Sequence, residues 1–170
     1  MQNWRLFFRN GLQGAVQGDL FWEPCLNSMI EGLAPFGLHL AILVEPYLKY
    51  ILDGKKTVES RFSERRIAPY GRVQKDDIIL LKRSGGPIVG LCQVANIWYY
   101  QLDPESWQEI RNEFTQMLCA QDPAFWEQRE NAEFATLMRL RNVHEITPIK
   151  YSKSDRRGWV VLRPGGEILQ

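Results

Sequence analysis

The chain has 170 residues, 45% of them hydrophobic and 24% charged, with a formal net charge of +1; this is the composition of an ordinary globular protein, most simply one domain. A chain of this length buries roughly 70% of the surface its unfolded form exposes, so folding requires neither disulfides nor a structural metal. No run of about 18 apolar residues is present to span a membrane, and three scattered cysteines (Cys25, Cys92, Cys119) with two isolated histidines (His39, His144) offer no metal ligand set and no cofactor site.

Residues 1–37 mix glycines with large aromatics without a clear period, as in NGLQGAVQGDLFWEP. They are expected to form an N-terminal extension, irregular or built as a short hairpin. It would pack Trp4, Phe7, Phe8, Phe21 and Trp22 onto the main domain over 38–170, or attach to it only loosely. From Leu38 the pattern sharpens. LHLAILV is short and apolar, which suits a buried strand. EPYLKYILDG reads as a helix, with Pro46 at its first position, Leu48, Ile51 and Leu52 on one face, and Gly54 just past its end. KTVESRFS alternates, placing Val58, Ser60 and Phe62 on one strand face and Thr57, Glu59 and Arg61 on the other.

Two strands follow, at about 78–83 and 87–98, joined through Ser84-Gly85-Gly86. Asp103-Pro104 and Asp122-Pro123 each provide a capping carboxylate and a proline at the first helical position, so two helices are expected there. Trp107, Ile110, Phe114, Met117 and Leu118 form an apolar stripe on the first, read as core packing. FATLMRLRNVHEI and GWVVL supply two further strands. The fold class is therefore α+β: a small mixed β-barrel of about five or six strands with flanking helices.

The small net charge hides an asymmetry. Residues 49–83 contain ten basic and five acidic residues, residues 103–133 two basic and eight acidic, and residues 139–163 seven basic and two acidic. The two basic segments either converge on one face, where they would steer polyanions, or scatter as solvated charge.

The segment YILDGKKTVESR concentrates chemistry, with Lys55, Lys56, Glu59 and Arg61 within seven residues. Glu59 and Arg61 are two apart on a strand and emerge on the same face, with Lys56 just before them. A carboxylate between two cations can hold the arginine as a rigid planar fork suited to phosphate or a base edge, and can itself accept from the exocyclic amine of a base. The alternative is that these residues merely cap the open end of the barrel.

This string, Gly54, Lys56, Glu59 and Arg61 after a helix opened by Pro46-Tyr47, resembles the signature of the ASCH domain (activating signal cointegrator-1 homology), a family of the PUA-like superfamily of small β-barrels. The hairpin DDIILLKRSGGPIVGLCQV and the closing RRGWVVL are similar to later barrel strands of that family. The resemblance spans about residues 39–163. It implies a ligand pocket at the barrel mouth formed by Lys56, Glu59, Arg61, Pro46, Tyr47, Lys55 and Gln93. Some members of the family are acetylcytidine amidohydrolases, with a Lys and a Thr on this segment and a Glu on the later hairpin. Here Lys56 matches the lysine, but Glu59 stands for the threonine and Gln93 for the glutamate. A neutral amide cannot act as a general base.

The resemblance therefore implies a nucleic-acid-binding or (modified) nucleotide-binding module rather than an enzyme, with RNA, a single strand or a nucleotide-like small molecule as partner. Lys82, Arg83, Arg156 and Arg157 are expected to extend the basic surface, and Trp98, Tyr99 and Tyr100 offer rings for stacking on bases. Hydrolysis of a nucleoside or of RNA is the alternative activity; a further one is protein docking at the acidic helices within 103–133, through Trp107 and Trp126. No basic-then-apolar leader is visible at the N-terminus, so a cytoplasmic location with reduced thiols is expected.

Overall fold

The computed structural model describes residues 4–166. The N-terminal segment is helical, not irregular or a hairpin. Helix α1 (Trp4–Phe7), a π-helical turn (Phe8–Leu12) and α2 (Gln13–Ala15) follow one another without a break, and α3 (Trp22–Ile30) comes after a short turn. Asp19 starts α3 by accepting from the backbone N–H groups of Phe21 and Trp22 at 2.9 and 2.7 Å, while Glu23 reaches back to Gly18 N at 2.7 Å. Side-chain oxygens thus satisfy donors that a helix start leaves open. Phe8, Leu12 and Val16 recur every fourth residue, and Trp22, Leu26 and Met29 share a face of α3. All six are buried in one cluster with Leu38, Leu40, Ile78 and Leu80 of the sheet. Phe21, by contrast, remains 42% exposed.

The core is one six-stranded mixed sheet, curled into a half-barrel. Its strands are β1 (Leu38–Leu43), β2 (Val58–Ser63), β3 (Ile78–Arg83), β4 (Ile88–Gln101), β5 (Phe134–Ile149) and β6 (Trp159–Arg163), in the order β2-β5-β4-β3-β1-β6. Only β1 and β3 run parallel. The long β4–β5 ladder shifts register at three places; such irregularities bend and twist a strand pair and so help a sheet to curl. The α+β class and strand number agree with the sequence reading. β3 shows why its IILL run is uniformly apolar: Ile78 and Leu80 face the N-terminal helices, whereas Ile79 and Leu81 face the inside of the curl. There they meet Leu48 and Ile51 of α4 (Tyr47–Leu52). A third cluster lies under α5 (Pro104–Phe114) and α6 (Pro123–Glu127), where Ile110, Phe114 and Trp126 cover Val58 and Leu137. No helix among the described residues is long and apolar enough to cross a membrane.

One buried polar knot ties β1, β6 and the turn before β3 together. His39 and Asp77 are 0% and 1% exposed. His39 Nδ1 accepts from Trp159 Nε1 at 3.2 Å, so Nε2 carries the proton and donates to Asp77 Oδ2 at 2.9 Å. Asp77 also accepts from Gly37 N at 2.6 Å and Gln74 N at 2.8 Å. Gly37 is required here, since a Cβ on it would stand 2.8 Å from the Asp77 carboxyl. Asp77→Ala would leave three donors without an acceptor, two of them on the buried residues His39 and Gly37. It is expected to lower unfolding stability by about 3–5 kcal/mol in urea titration, whereas Trp159→Phe, which removes one hydrogen bond, should cost about 1 kcal/mol from that bond. Equal, small losses would show that the knot is not a support of the fold.

Candidate functional site

The site is built by the turn between α4 and β2. At the end of α4, Lys55 N donates to Tyr50 O at 2.9 Å and Gly54 N to Ile51 O at 3.1 Å, the paired bonds of a glycine-terminated helix. Gly54 takes φ +76°, a left-handed conformation that glycine adopts without strain. The reversed chain is then pinned by Thr57 N and Val58 N, which both donate to Met117 O, at 3.1 and 3.2 Å. Strand β2 therefore starts in a fixed register. Val58 and Phe62 turn to the cluster under α5 and α6, while Glu59 and Arg61 meet as an ion pair.

Arg61 does structural work. Strands β2 and β6 are the two edges of the sheet, and the Arg61 guanidinium spans the gap between them. Its Nη1 donates to Gly158 O, next to β6, at 3.1 Å, and its Nη2 to Ile42 O on β1 at 3.0 Å. The guanidinium lies 5.3 Å from the centre of the Trp159 ring. Nε stands 3.0 Å from Glu59 Oε1, an ion-pair contact out of line for a hydrogen bond. The fork expected to face a phosphate is thus filled by main-chain carbonyls where the β1–β6 pairing ends, Gly158 O accepting from Ile42 N as well, at 3.0 Å.

Lys56 is 3% exposed. Its Nζ donates to Leu118 O at 3.1 Å, lies 3.6 Å from Glu59 Oε2, and sits 5.5 Å from the centre of the Tyr47 ring. Burial pulls the pKa of this amine below the ordinary lysine value; Glu59 opposes that shift and Arg61 adds to it. Arg129, just beyond α6, completes the group. Its Nη1 donates to Phe125 O at 2.7 Å and its guanidinium lies 3.7 Å from the centre of the Phe125 ring. Among the described residues it has no ion-pair partner. Lys56, Glu59, Arg61, Arg129, Tyr47 and Phe125 line a cavity of about 250 Å³. Three cations facing one carboxylate, between two aromatic walls, make a place where a planar or anionic group is favoured.

The other expected site residues lie elsewhere. Pro46 precedes α4 and is exposed, so it stands one residue before the predicted position. Lys55 is exposed beside the Tyr50 ring. Gln93 is buried in a knot between β4 and β5, accepting from Arg141 Nε at 3.0 Å and Asn142 Nδ2 at 3.3 Å, and it does not line the cavity. Lys82 is 6% exposed and donates to Gly86 O at 2.6 Å, closing the β3–β4 hairpin instead of meeting a ligand. Arg83 is paired with Glu45 and Arg157 with Asp155; Arg156 is exposed. Trp98 packs on Phe114, Tyr99 bonds Val73 through its hydroxyl and Tyr100 joins the cluster under α5, so packing engages all three rings. Trp126 is buried and Trp107 stacks on Phe62 at 5.3 Å. Among the described residues no group of three metal-ligating side chains occurs.

Arg129 escaped sequence reasoning because it lies in the acidic segment. The only hint there is that it is one of two basic residues in 103–133.

Two measurements check this assignment of roles. Arg61→Met keeps bulk but removes the donors from two carbonyls and the cation beside the Glu59 carboxylate. It is expected to cost about 2–4 kcal/mol of unfolding stability. For Lys56 the folded pKa lies below the unfolded one, so the unfolded chain binds more protons between the two values and stability rises with pH across that window. The difference between the parent protein and Lys56→Met should therefore increase on the alkaline approach to the ordinary lysine value, by at most about 1.4 kcal/mol per pH unit. A flat difference would contradict a buried, desolvated Lys56.

Comparison with known proteins places the fold. The family model of the ASCH domain matches residues 42–154. The crystal structure of ASCH from Zymomonas mobilis is similar with a TM-score of 0.60 at 20% identity, over 74% of this chain and 87% of that one. Two single-residue variants of the same Zymomonas mobilis protein align equally well, at 0.60 and 20% over 74% of this chain, covering 90% and 88% of their own lengths. No curated protein matches the sequence. The matched span begins at the end of β1, includes the Lys56–Glu59–Arg61 segment and stops before β6, and on that match the chain belongs to the ASCH domain family.

Proposed function

We propose that the protein binds nucleic acid or a nucleotide-like small molecule in the cavity between Lys56 and Arg129. The observation that carries this reading is the pair of cations on two sides of a cavity walled by Tyr47 and Phe125. Lys56 keeps a donor beyond Leu118 O and Glu59, because an ammonium has three. Arg129 is held by its contact with Phe125 and stays charged at any physiological pH. Together they suit a phosphate or the electron-rich edge of a base, and the two rings suit its planar faces. Glu59 orients Lys56 and Arg61 from between them. An unpaired base fits such a cavity better than a duplex, since only unpaired bases expose their edges and faces. The PUA-like fold, often linked to RNA binding, supports the same reading.

Hydrolysis of an N-acylated nucleoside is a second reading, favoured by one observation: burial makes Lys56 easier to deprotonate, as a general base requires. Glu59 stands where the nucleophilic hydroxyl of the family's amidohydrolases would be, which weighs against it. Turnover of N4-acetylcytidine, abolished in Lys56→Met, would establish it.

Titration of tryptophan fluorescence with single-stranded RNA, duplex DNA and nucleotides tests the binding reading. Lys56→Met and Arg129→Ala are each expected to weaken binding about tenfold or more. Glu59→Gln should also weaken it, despite removing a negative charge. Absence of binding by the folded protein, or affinity unchanged in both cation variants, would overturn the reading.

A further inference from the structure

The cavity around Lys56 shares Arg61 and Phe62 with a neighbouring pocket of about 160 Å³, lined also by Pro69 and Trp159. That pocket shares Ile67, Ala68, Gly158 and Trp159 with a wider cleft of about 910 Å³. Arg66, Arg72 and Arg157 line the cleft, and no Asp or Glu does.

The convergence of these three arginines on one cleft is what singles it out. Arg83 and Arg141 are neutralised by Glu45 and Asp76, whereas the exposed Arg65 and Arg139 have no ion-pair partner among the described residues; what the cleft adds is three arginines on one concave surface without a carboxylate. Arg66 lies 5.5 and 5.6 Å from the ring centres of Tyr70 and Phe134. A cation–π contact of this kind steadies the guanidinium without consuming its N–H donors. Among the described residues the Arg72 side chain has no ion-pair partner. Arg157 pairs with Asp155 at 2.9 Å, and Asp155 lies outside the cleft. Two cations without an ion-pair partner among the described residues, and one shared cation, therefore line a cleft that the intervening pocket links through shared residues to the Lys56–Arg129 cavity. Ile67, 58% exposed, belongs to both the connecting pocket and the wide cleft, as an apolar surface over which a base or sugar can pass.

We propose that this cleft holds the phosphodiester backbone of a single-stranded nucleic acid whose unpaired base or nucleotide occupies the Lys56–Arg129 cavity. The preferred ligand is then an oligonucleotide, not a free nucleotide. The inference rests on the binding reading given above, and it adds where the flanking phosphates lie. A free nucleotide fills the first cavity only. A strand gains backbone contacts in the cleft and releases counterions there, so its affinity falls with salt at about 0.7 log units per contact per tenfold salt.

The test compares a single-stranded RNA of about eight nucleotides, a length within the usual range for one small binding domain, with the four ribonucleoside 5′-monophosphates. Both are titrated against the full chain at several salt concentrations. The oligonucleotide is expected to bind at least tenfold more tightly than any monophosphate. The triple variant Arg66→Ala/Arg72→Ala/Arg157→Ala should flatten the salt dependence for the oligonucleotide by about two units, while leaving monophosphate affinity and melting temperature unchanged. The corresponding triple lysine variant should keep most of the slope. An unchanged slope in the alanine variant, or an oligonucleotide bound no more tightly than a monophosphate, overturns the inference and leaves the first cavity's role standing. A poly-glutamate peptide of equal charge that binds as tightly, and loses the same slope, would also overturn it, because the cleft would then select charge alone. Binding of neither RNA nor monophosphate by the folded parent protein would overturn the underlying reading as well.

Discussion

The site depends on how the two edges of the sheet are joined. β2 and β6 end the strand order, and open edges present unpaired carbonyls and N–H groups. Arg61 bridges the gap between the two edges at one point, donating from β2 to Gly158 O, beside β6, and to Ile42 O of β1. A hydrogen bond from a charged donor to a carbonyl is among the stronger kinds, and the Trp159 ring beneath the guanidinium shields it from water. With Arg61 fixed, one oxygen of Glu59 lies 3.0 Å from its Nε, and Lys56 faces the other oxygen at 3.6 Å. The order of the three along the chain therefore follows from closing a half-barrel with a side chain.

That closure has a cost, and the cost shapes the cavity. Lys56 is almost fully buried, and taking an ammonium out of water is expensive even with a carboxylate at 3.6 Å. A salt bridge of this kind is a poor way to gain stability compared with an apolar pair of the same volume. Its presence is easier to understand as preorganisation: the cation is already desolvated and aimed, so an arriving anion meets it without reordering it. Arg129 contributes from a different element through the same logic, held by the Phe125 ring and carbonyl, with no carboxylate partner among the described residues. The site is thus assembled from β2, the end of α4 and the loop after α6, three segments that meet because Met117 O and Leu118 O receive Thr57, Val58 and Lys56.

Local chemistry made much of the fold legible in the sequence. Gly54 after an apolar helix, the alternation from Thr57 to Phe62, and the two Asp-Pro helix starts are signals carried within a few residues, and the structure follows each. The N-terminal helices were obscured because Gly11, Gly14 and Gly18 interrupt the every-fourth spacing of Phe8, Leu12 and Val16. The partners of Arg61 could not be read, since Gly158 lies 97 residues away. Lys82 and Gln93 looked like surface chemistry and are not, because a polar side chain buried on a strand takes the nearest free carbonyl or amide. Charge totals misled in a similar way: a strongly acidic segment delivers the cation that faces Lys56.

The measurement that bears most directly on this account is the titration of Lys56 itself. In protein labelled with ¹³C at lysine Cε, the Lys56 resonance can be followed by NMR against pH, with and without saturating single-stranded RNA. The account predicts that free Lys56 ionises below the ordinary lysine value, because burial disfavours its charge, and that RNA moves the ionisation upward, because a phosphate or base acceptor favours the charged amine. A Lys56 that titrates like a surface lysine, or one whose titration is unmoved by bound RNA, would contradict the claim that this buried cation is the floor of an anion-binding site.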